Sequence, residues 1–265
     1  MTLGASVSDD PIPIIEFDQI DSTNSEAMRR AASGERGPVW FRSDRQITGR
    51  GRSGRAWSSP PGNLSATLMF VPGAPIEVLY QLSLVTGVAM HDAVSAAFIG
   101  NGKQPPPNLR LKWPNDVLIG NAKLAGILIE STSFGGKLVA MIGCGLNITV
   151  IPPIDNRIVT RLADHGVAPP ASEFLEILSQ SISKWLRLWN RGQGFPGIRA
   201  AWLERAGNLG GPMSIQTAEG ETRGRFSGID PEGALLLADE TGSVRRFQYG
   251  DVTLLTPNAE PDRME

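Results

Sequence analysis

Beyond residue 208 the chain stops making helices. Residues 213–255 are short apolar segments cut by Gly220, by Asp230-Pro231-Glu232-Gly233 and by Asp239-Glu240-Thr241-Gly242. Turn signals so close together leave room only for short strands, which predicts a small β-barrel or β-sandwich. Upstream the texture differs. Two long stretches carry apolar residues at helical spacing: 76–98 (Val78, Leu79, Leu82, Val85, Val88, Ala89) and 172–190 (Phe174, Leu175, Leu178, Ile182, Trp185, Leu186, Trp189). Strand-like runs lie around and between them. The chain therefore has to build two units, an α+β body and a small β unit, and 265 residues suffice for one large and one small domain. The expected division is a tail over 1–12, the body over 13–207, the β unit over 208–256 and a polar tail over 257–265.

Within the body, 14–20 reads as a strand, and Thr23-x-x-Glu26 reads as a capping box opening a helix that ends near Gly34. Strands are expected near 38–43 and 64–71, then the helix 76–98 stopped by Gly100, then a surface loop over 101–108 containing Pro105-Pro106-Pro107. Strand segments follow at 109–113 with 117–119, at 124–130 and at 138–148, with Asn121-Ala122-Lys123 as a hairpin turn. A short helix over 196–205 ends at Gly207.

Between the second and third strands lies Gly49-Arg50-Gly51-Arg52-Ser53-Gly54-Arg55-Ala56-Trp57. Glycines permit positive φ and close backbone approach, so such a loop can wrap an anion with N–H groups and guanidinium forks together. It is not the phosphate loop of the common ATPases, because the chain has no Gly-x-x-x-x-Gly-Lys-Ser/Thr. Lys and Arg number 25 against 27 Asp and Glu, a net charge of −2. With a pI near 5.8, there is no global basic field to favour DNA or a membrane surface. The arginines are a local cationic feature suited to a small anionic ligand.

Cys144 is the single cysteine, which excludes an intramolecular disulfide framework and any multi-cysteine metal site; flanked by apolar residues, it reads as a small buried hydrophobe. His91 and His165 have no ligand-like spacing. The N-terminus shows no signal-peptide pattern, and no uncharged apolar run approaches the length of a membrane span, so a soluble, cytoplasmic protein is expected.

Four more segments combine polar groups with glycine or strand context. Asp21-Ser22-Thr23-Asn24 sits at the mouth of the first helix, where unpaired N–H groups favour an accepting ligand. Lys112-Trp113-Pro114-Asn115-Asp116 interrupts a hydrophobic strand. Lys123 enters the apolar run Leu124-Ala125-Gly126-Ile127-Leu128-Ile129-Glu130. Gly143-Cys144-Gly145-Leu146-Asn147 puts two glycines in a strand core, a sign of close approach by another backbone or a ligand. On the residues alone, Ser22-Thr23-Asn24 also serves as an ordinary helix cap and Lys123 as a turn lysine.

Taken together and in order, the segments 21–24, 49–57, 112–117, 123–130 and 145–148 resemble the biotin protein ligase family, of the monofunctional type without a DNA-binding domain. The segment 213–255 resembles its SH3-like C-terminal domain. Two departures stand out: Gln46-Ile47-Thr48-Gly49 where the family usually has Gln-x-Ala-Gly, and Tyr249-Gly250-Asp251-Val252 where Ser-Gly-Glu-Val is usual.

The resemblance implies a class II synthetase-like catalytic domain, a mixed β-sheet flanked by helices, with an SH3-like β-barrel after it. It implies activation of biotin by ATP to biotinyl-5′-AMP, then transfer to a lysine of a biotin carboxyl carrier domain of acetyl-CoA carboxylase or a related carboxylase. Arg52, Lys123 and Asp116 are the implied catalytic residues. Ser22, Thr23, Asn24, Gln46, Arg50, Gly51 and Gly126 would bind biotin. Arg50, Arg52, Arg55, Trp57, Asn115, Asp116, Lys123 and Asn147 would bind ATP and the adenylate. Mg2+ is expected with ATP, with Asp116 the nearest carboxylate and no assigned metal ligand. Asp116 is also expected to accept a proton from the incoming lysine or to orient it.

The glycine-rich loop would order over the adenylate and shield it from water. With about 20 residues before Asp21 there is no room for a winged helix-turn-helix, so DNA binding is not expected; a homodimer is compatible with the pattern. Two other classes compete. A lipoate or octanoate ligase or transferase of the same superfamily is disfavoured because those relatives lack the Gly-Arg-Gly-Arg-x-Gly-Arg run. A nucleic-acid-binding module is disfavoured by the low pI and the absence of aromatics interleaved on a basic face.

Overall fold

The computed structural model describes residues 10–151 and 158–255. Most of the tail expected over 1–12, and all of that over 257–265, lie outside the described residues.

The body opens with β1 (Ile14–Ile20), α1 (Thr23–Ala32), β2 (Val39–Gln46) and β3 (Leu64–Phe70). It continues through α2 (Gln81–Gly100), β4 (Leu109–Lys112), β5 (Asp116–Ile119), β6 (Ala122–Phe134) and β7 (Lys137–Leu146), and closes with α3 (Ala171–Trp189) and α4 (Phe195–Ala206). One seven-stranded sheet runs β1-β2-β3-β7-β6-β5-β4. Only β1 and β2 pair parallel; the other neighbours are antiparallel.

The two faces of this sheet are covered unequally, and that asymmetry positions the site. On one face α2 and α3 bury Leu82, Val85, Phe174, Leu178 and Ile182 against alternate strand residues such as Leu68, Ile142 and Leu146. Burying each such side chain contributes on the order of 1.5–3 kcal/mol, well above any difference in helix propensity, so packing decides these helices. On the other face there is only α1, whose Ala27 and Ala31 pack on Phe41, Met69, Val139 and Met141. Side chains alternate along a strand. Residues 143 and 145 therefore continue the face that Val139 and Met141 begin, under the first turn of α1 and then past it, and both are glycine.

α2 is apolar on nearly every side. By length and composition it would pass for a membrane span, yet Asp92 interrupts it and 67% of that stretch is packed inside the protein. A helix buried all round needs no polar face. Its first turn, Ile76–Val78, is a separate 3-10 turn, so the α-helix starts later than the spacing suggested.

The cap of α1 also differs from expectation. Ser22, not Thr23, is the N-cap and accepts from the Ser25 N–H, and Glu26 pairs with Arg29 and Arg30 instead of reaching back. The reason lies across the sheet, where the Thr23 N–H donates to Gln46 Oε1 and the Thr23 hydroxyl is held between that oxygen and Thr67. The hairpin turn before β6 is likewise Gly120-Asn121, which leaves Ala122 and Lys123 in the strand.

The C-terminal unit is a five-stranded antiparallel sheet of β8 (Pro212–Thr217), β9 (Gly220–Ile229), β10 (Leu235–Ala238), β11 (Val244–Phe247) and β12 (Asp251–Leu254), in the order β11-β10-β9-β8-β12. No pairing between β11 and β12 closes it into a barrel among the described residues. Its apolar face merges with the main core: Trp202 of α4 meets Phe226 edge-on at 6.3 Å, and Arg199 Nε donates to the Ile229 carbonyl. Trp113 Nε1 donates to the Gly233 carbonyl at 3.0 Å, which ties the turn after β4 to this sheet.

Candidate active site

The uncovered half of the sheet forms the floor of a cavity of about 750 Å³. Gly126, Gly143 and Gly145 are glycine for a steric reason. A Cβ on Gly143 would lie 2.4 Å from Asn24 Oδ1, and one on Gly145 would lie 2.3 Å from the Trp57 ring. The indole thus lies directly on backbone, with the Lys123 ammonium 5.4 Å from the ring centroid.

The arginine loop roofs this floor, and each of its arginines reaches a different element. Arg50 Nη2 meets Glu130 of β6 at 3.1 Å. Arg52 donates from Nη1 to Asn115 Oδ1 at 3.1 Å and from Nη2 to the Gly250 carbonyl at 3.3 Å. Arg55 Nη2 pairs with Asp251 of β12 at 2.6 Å. The loop closes on itself through Gly51 N–H to Arg55 O and Trp57 N–H to Gly49 O, with Ser53 (φ 56°) and Gly54 (φ 71°) both left-handed at its tip. Burial draws the Arg52 pKa down from its ordinary value. A guanidinium stays charged in a protein all the same, so the consequence is a partly dehydrated cation, ready to trade weak partners for an anion.

Opposite the loop, Asp116 is buried between two ammonium groups, Lys123 Nζ at 2.6 Å and Lys112 Nζ at 3.0 Å. Burial acts to raise its pKa, but the charges of Lys123 and Lys112 outweigh it, and the carboxyl sits below its ordinary value. Lys112 Nζ also donates to the Val252 carbonyl. Asn115 is clamped to β6 through Nδ2 to the Ile127 carbonyl at 2.7 Å, which fixes the oxygen it offers Arg52.

At the α1 end the wall is neutral and polar. Gln46 Oε1 accepts from the Thr23 N–H at 2.8 Å and lies 3.1 Å from the Thr23 hydroxyl, while Gln46 Nε2 donates to Ser59 at 2.7 Å. The buried Thr67 hydroxyl lies 2.8 Å from Thr23 Oγ1 and 2.5 Å from Asn24 Oδ1, and Asn24 Nδ2 donates to Glu130 at 2.7 Å.

Ser22, Thr23, Asn24, Gln46, Arg50, Gly51, Arg52, Arg55, Trp57, Asn115, Asp116, Lys123 and Gly126, all singled out from sequence, line this one cavity. Asn147 does not. It is buried behind the wall with Nδ2 donating to the Thr160 carbonyl, and its Oδ1 has no hydrogen-bond partner among the described residues. Cys144 is buried and its thiol is pushed up to about 12 by burial, so it is inert as a nucleophile. Sequence reasoning assigned no role to Lys112, Glu130, Thr67, Ser59 or Asp251. Lys112 and Glu130 stood inside quoted segments, and Asp251 stood at one of the two departures; Thr67 and Ser59 carried no local signal. Among the described residues no group of three or more His, Cys, Asp or Glu is placed to hold a metal ion.

A glycine-floored cavity with cationic walls, on a mixed sheet that shares its core with a C-terminal antiparallel sheet, defines a protein ligase of the biotin and lipoate class. The model described as "Biotin/lipoate A/B protein ligase family" matches residues 16–147, and "Biotin protein ligase C terminal domain" matches 210–255. The biotin–[acetyl-CoA-carboxylase] ligase of Paracoccus denitrificans is 38% identical over 84% of this chain and 92% of its own length. That of Mycobacterium tuberculosis is 32% identical over 89% and 87%. The biotin protein ligase of Aquifex aeolicus, solved in complex with biotin and ATP, superimposes with a TM-score of 0.76 at 27% identity, over 92% of this chain and 98% of that one. The chain belongs to the biotin protein ligase family.

Proposed function

We propose that the cavity takes biotin and ATP end to end, and that the chain is an ATP-dependent biotin protein ligase. It joins biotin to AMP with release of pyrophosphate, then passes biotin to a lysine of the biotin carboxyl carrier domain of acetyl-CoA carboxylase. The observation that carries this reading is the division of one cavity into a neutral hydrogen-bonding end and a cationic middle. The first suits a cyclic urea. The second suits a carboxylate meeting an α-phosphate, two anions that repel until their charge is met.

In this reading Ser22, Thr23 and Gln46 bind the ureido ring over the floor at Gly126 and Gly143, and Asn24 shapes that end of the cavity through its contacts with Glu130 and Thr67. Arg50, Arg52 and Lys123 hold the carboxylate and the phosphate, and Gly51 lets the loop backbone come close. Arg55 braces the loop on Asp251 and Trp57 faces the adenine, whereas Asn147, expected to bind ATP, lies behind the wall and is given no contact with the ligand. Asn115 aims Arg52.

Asp116 acts by holding Lys112 and Lys123. As a proton acceptor for the incoming lysine it is badly matched: its carboxyl lies below the ordinary carboxylate value, and a free lysine titrates near 10.4. The expectation of a carboxylate for Mg2+ is revised for the same reason, because both Asp116 oxygens already face ammonium groups. The donor set does not fit a protein-held cation, and any magnesium arrives on the ATP phosphates.

The catalytic unit is taken as 13–207 and the C-terminal unit as 208–256, the latter anchoring Arg52, Arg55 and Lys112 through Gly250, Asp251 and Val252. The carrier and ATP place this reaction in the cytoplasm. For a homodimer, the edge strands of the seven-stranded sheet among the described residues are β1 and β4.

The deciding experiment is ATP–pyrophosphate exchange with biotin, with lipoate, with octanoate and with no acid. Exchange that requires biotin is expected; exchange with lipoate or octanoate in its place would move the chain to the sister activity, and none with any acid would sink the ligase reading. The floor gives a second prediction. Gly143→Ala puts a methyl group against Asn24, whose side chain is held at both ends. Calorimetry should show biotin binding at least about tenfold weaker, the equivalent of one lost hydrogen bond; unchanged affinity would mean that biotin does not lie on this floor.

A further inference from the structure

Glu130 is not among the cavity-lining side chains, yet its Oε2 is the last acceptor of the polar network, taking Asn24 Nδ2 at 2.7 Å and Arg50 Nη2 at 3.1 Å. Resting on the biotin reading above, we propose that Glu130 is a positioning residue that sets the direction of the Asn24–Thr67–Thr23 hydrogen-bond chain at the ureido end of the cavity, and with it the number of acceptors offered to the ligand.

The argument is a count of hydrogens. A carboxylate only accepts, so the amide nitrogen of Asn24 must face Glu130, and its oxygen must face Thr67. That oxygen also only accepts, so the single hydroxyl hydrogen of Thr67 goes to it across 2.5 Å. The Thr67 oxygen then meets Thr23, 2.8 Å away, as an acceptor, and takes the Thr23 hydroxyl hydrogen. Gln46 Oε1 is left with the Thr23 N–H alone and keeps one lone pair open. A ring that offers N–H groups needs that lone pair.

Without the carboxylate the chain can run the other way. Asn24 turns its nitrogen to Thr67, Thr67 donates to Thr23, and Thr23 donates to Gln46 Oε1 at 3.1 Å, which fills the open site. One amide flip at the far end thus removes one acceptor at the near end. Arg50 keeps a positive charge beside Glu130, and the floor at Gly143, with no side chain, lets Asn24 sit flat against the sheet between its two partners.

The test is Glu130→Gln beside the swapped pair Glu130→Gln/Asn24→Asp, in the full chain, by biotin-dependent ATP–pyrophosphate exchange and by calorimetry with biotin alone. In the swap the new carboxamide donates to the new carboxylate, whose other oxygen still accepts from Thr67, so the direction is restored. The expected result is a KM for biotin raised about tenfold in Glu130→Gln, a KM for ATP within twofold of the parent, and recovery of the biotin KM to within threefold in the swap. An unchanged biotin KM in Glu130→Gln overturns the proposal, as does a loss in both substrates that the swap does not restore. If Glu130→Gln melts before assay, the swap decides alone: parental biotin affinity supports the proposal, and a folded swap without biotin binding overturns it. Failure of the parent chain to exchange with biotin is a separate result, and it removes the underlying reading instead.

Discussion

Arg52→Ala is expected to lower biotin-dependent ATP–pyrophosphate exchange by about 10²–10³-fold, the usual effect of removing one pre-organised donor from a developing negative charge. The fork is already aimed: Asn115, held by β6, takes one nitrogen, and the Gly250 carbonyl takes the other. Both partners are neutral, so an arriving phosphate or carboxylate competes with them on favourable terms. Arg52→Lys should recover little, because a point charge on a flexible stem cannot make the two divergent contacts. The melting temperature should move by only a few degrees, since the lost contacts are hydrogen bonds worth about 1 kcal/mol each. Exchange within threefold of the parent in Arg52→Ala would remove this residue from the chemistry.

Asp116→Ala is expected to damage both the fold and both half-reactions. Removing one member of a buried charge cluster leaves the others uncompensated, at about 3–5 kcal/mol, which for a chain of this length corresponds to a melting point lower by roughly 10 °C. Transfer from pre-formed biotinyl-AMP should fall together with adenylation, because Lys112 and Lys123 lose their common anchor. Loss of transfer alone, in the isosteric Asp116→Asn, would instead restore Asp116 as a proton acceptor.

The pH dependence has a definite sign. The folded carboxyl titrates below its ordinary value of 3.8, so the stabilisation is complete above that pH and is lost as the pH falls through the folded value. The stability gap between parent and Asp116→Asn should stay constant from neutral pH down to about 4 and narrow below it. Asp21, lowered to about 2 by its hydrogen bonds to Arg29, titrates in the same acid range; it is exposed, so its contribution is the smaller.

How much of this was legible varies by element. The strand 14–20 and the stripe 172–190 were readable because each carries its own period, and the structure places β1 and α3 within a residue of them. The assigned residues were readable through five short segments and Gln46 just before the arginine loop, and all but Asn147 surround one space. Asn147 sits one turn of the strand pattern beyond Gly145 and faces the same side, but the chain bends after β7 and takes it into the wall. The N-cap was misplaced by one residue because Ser22 and Thr23 are chemically equivalent candidates. What separates them is Gln46, distant in sequence and adjacent in the sheet. The barrel expected at the C-terminus rests on turn spacing, which counts strands but says nothing about whether the first and last meet.

By itself the sequence determined the strand and helix periods, the arginine-glycine loop, the lack of bulk at residues 126, 143 and 145, and the family, because each of these is written in contiguous residues. Only the tertiary structure decided who answers each charge. Glu130, Asp251 and the carbonyls of Gly250 and Val252 come to the arginines and lysines from strands far along the chain. A local pattern fixes which groups a segment can offer. The partner that sets the direction of a hydrogen bond or the state of a buried carboxylate is chosen by sheet register and by the docking of one sheet on another, and neither has a local signature.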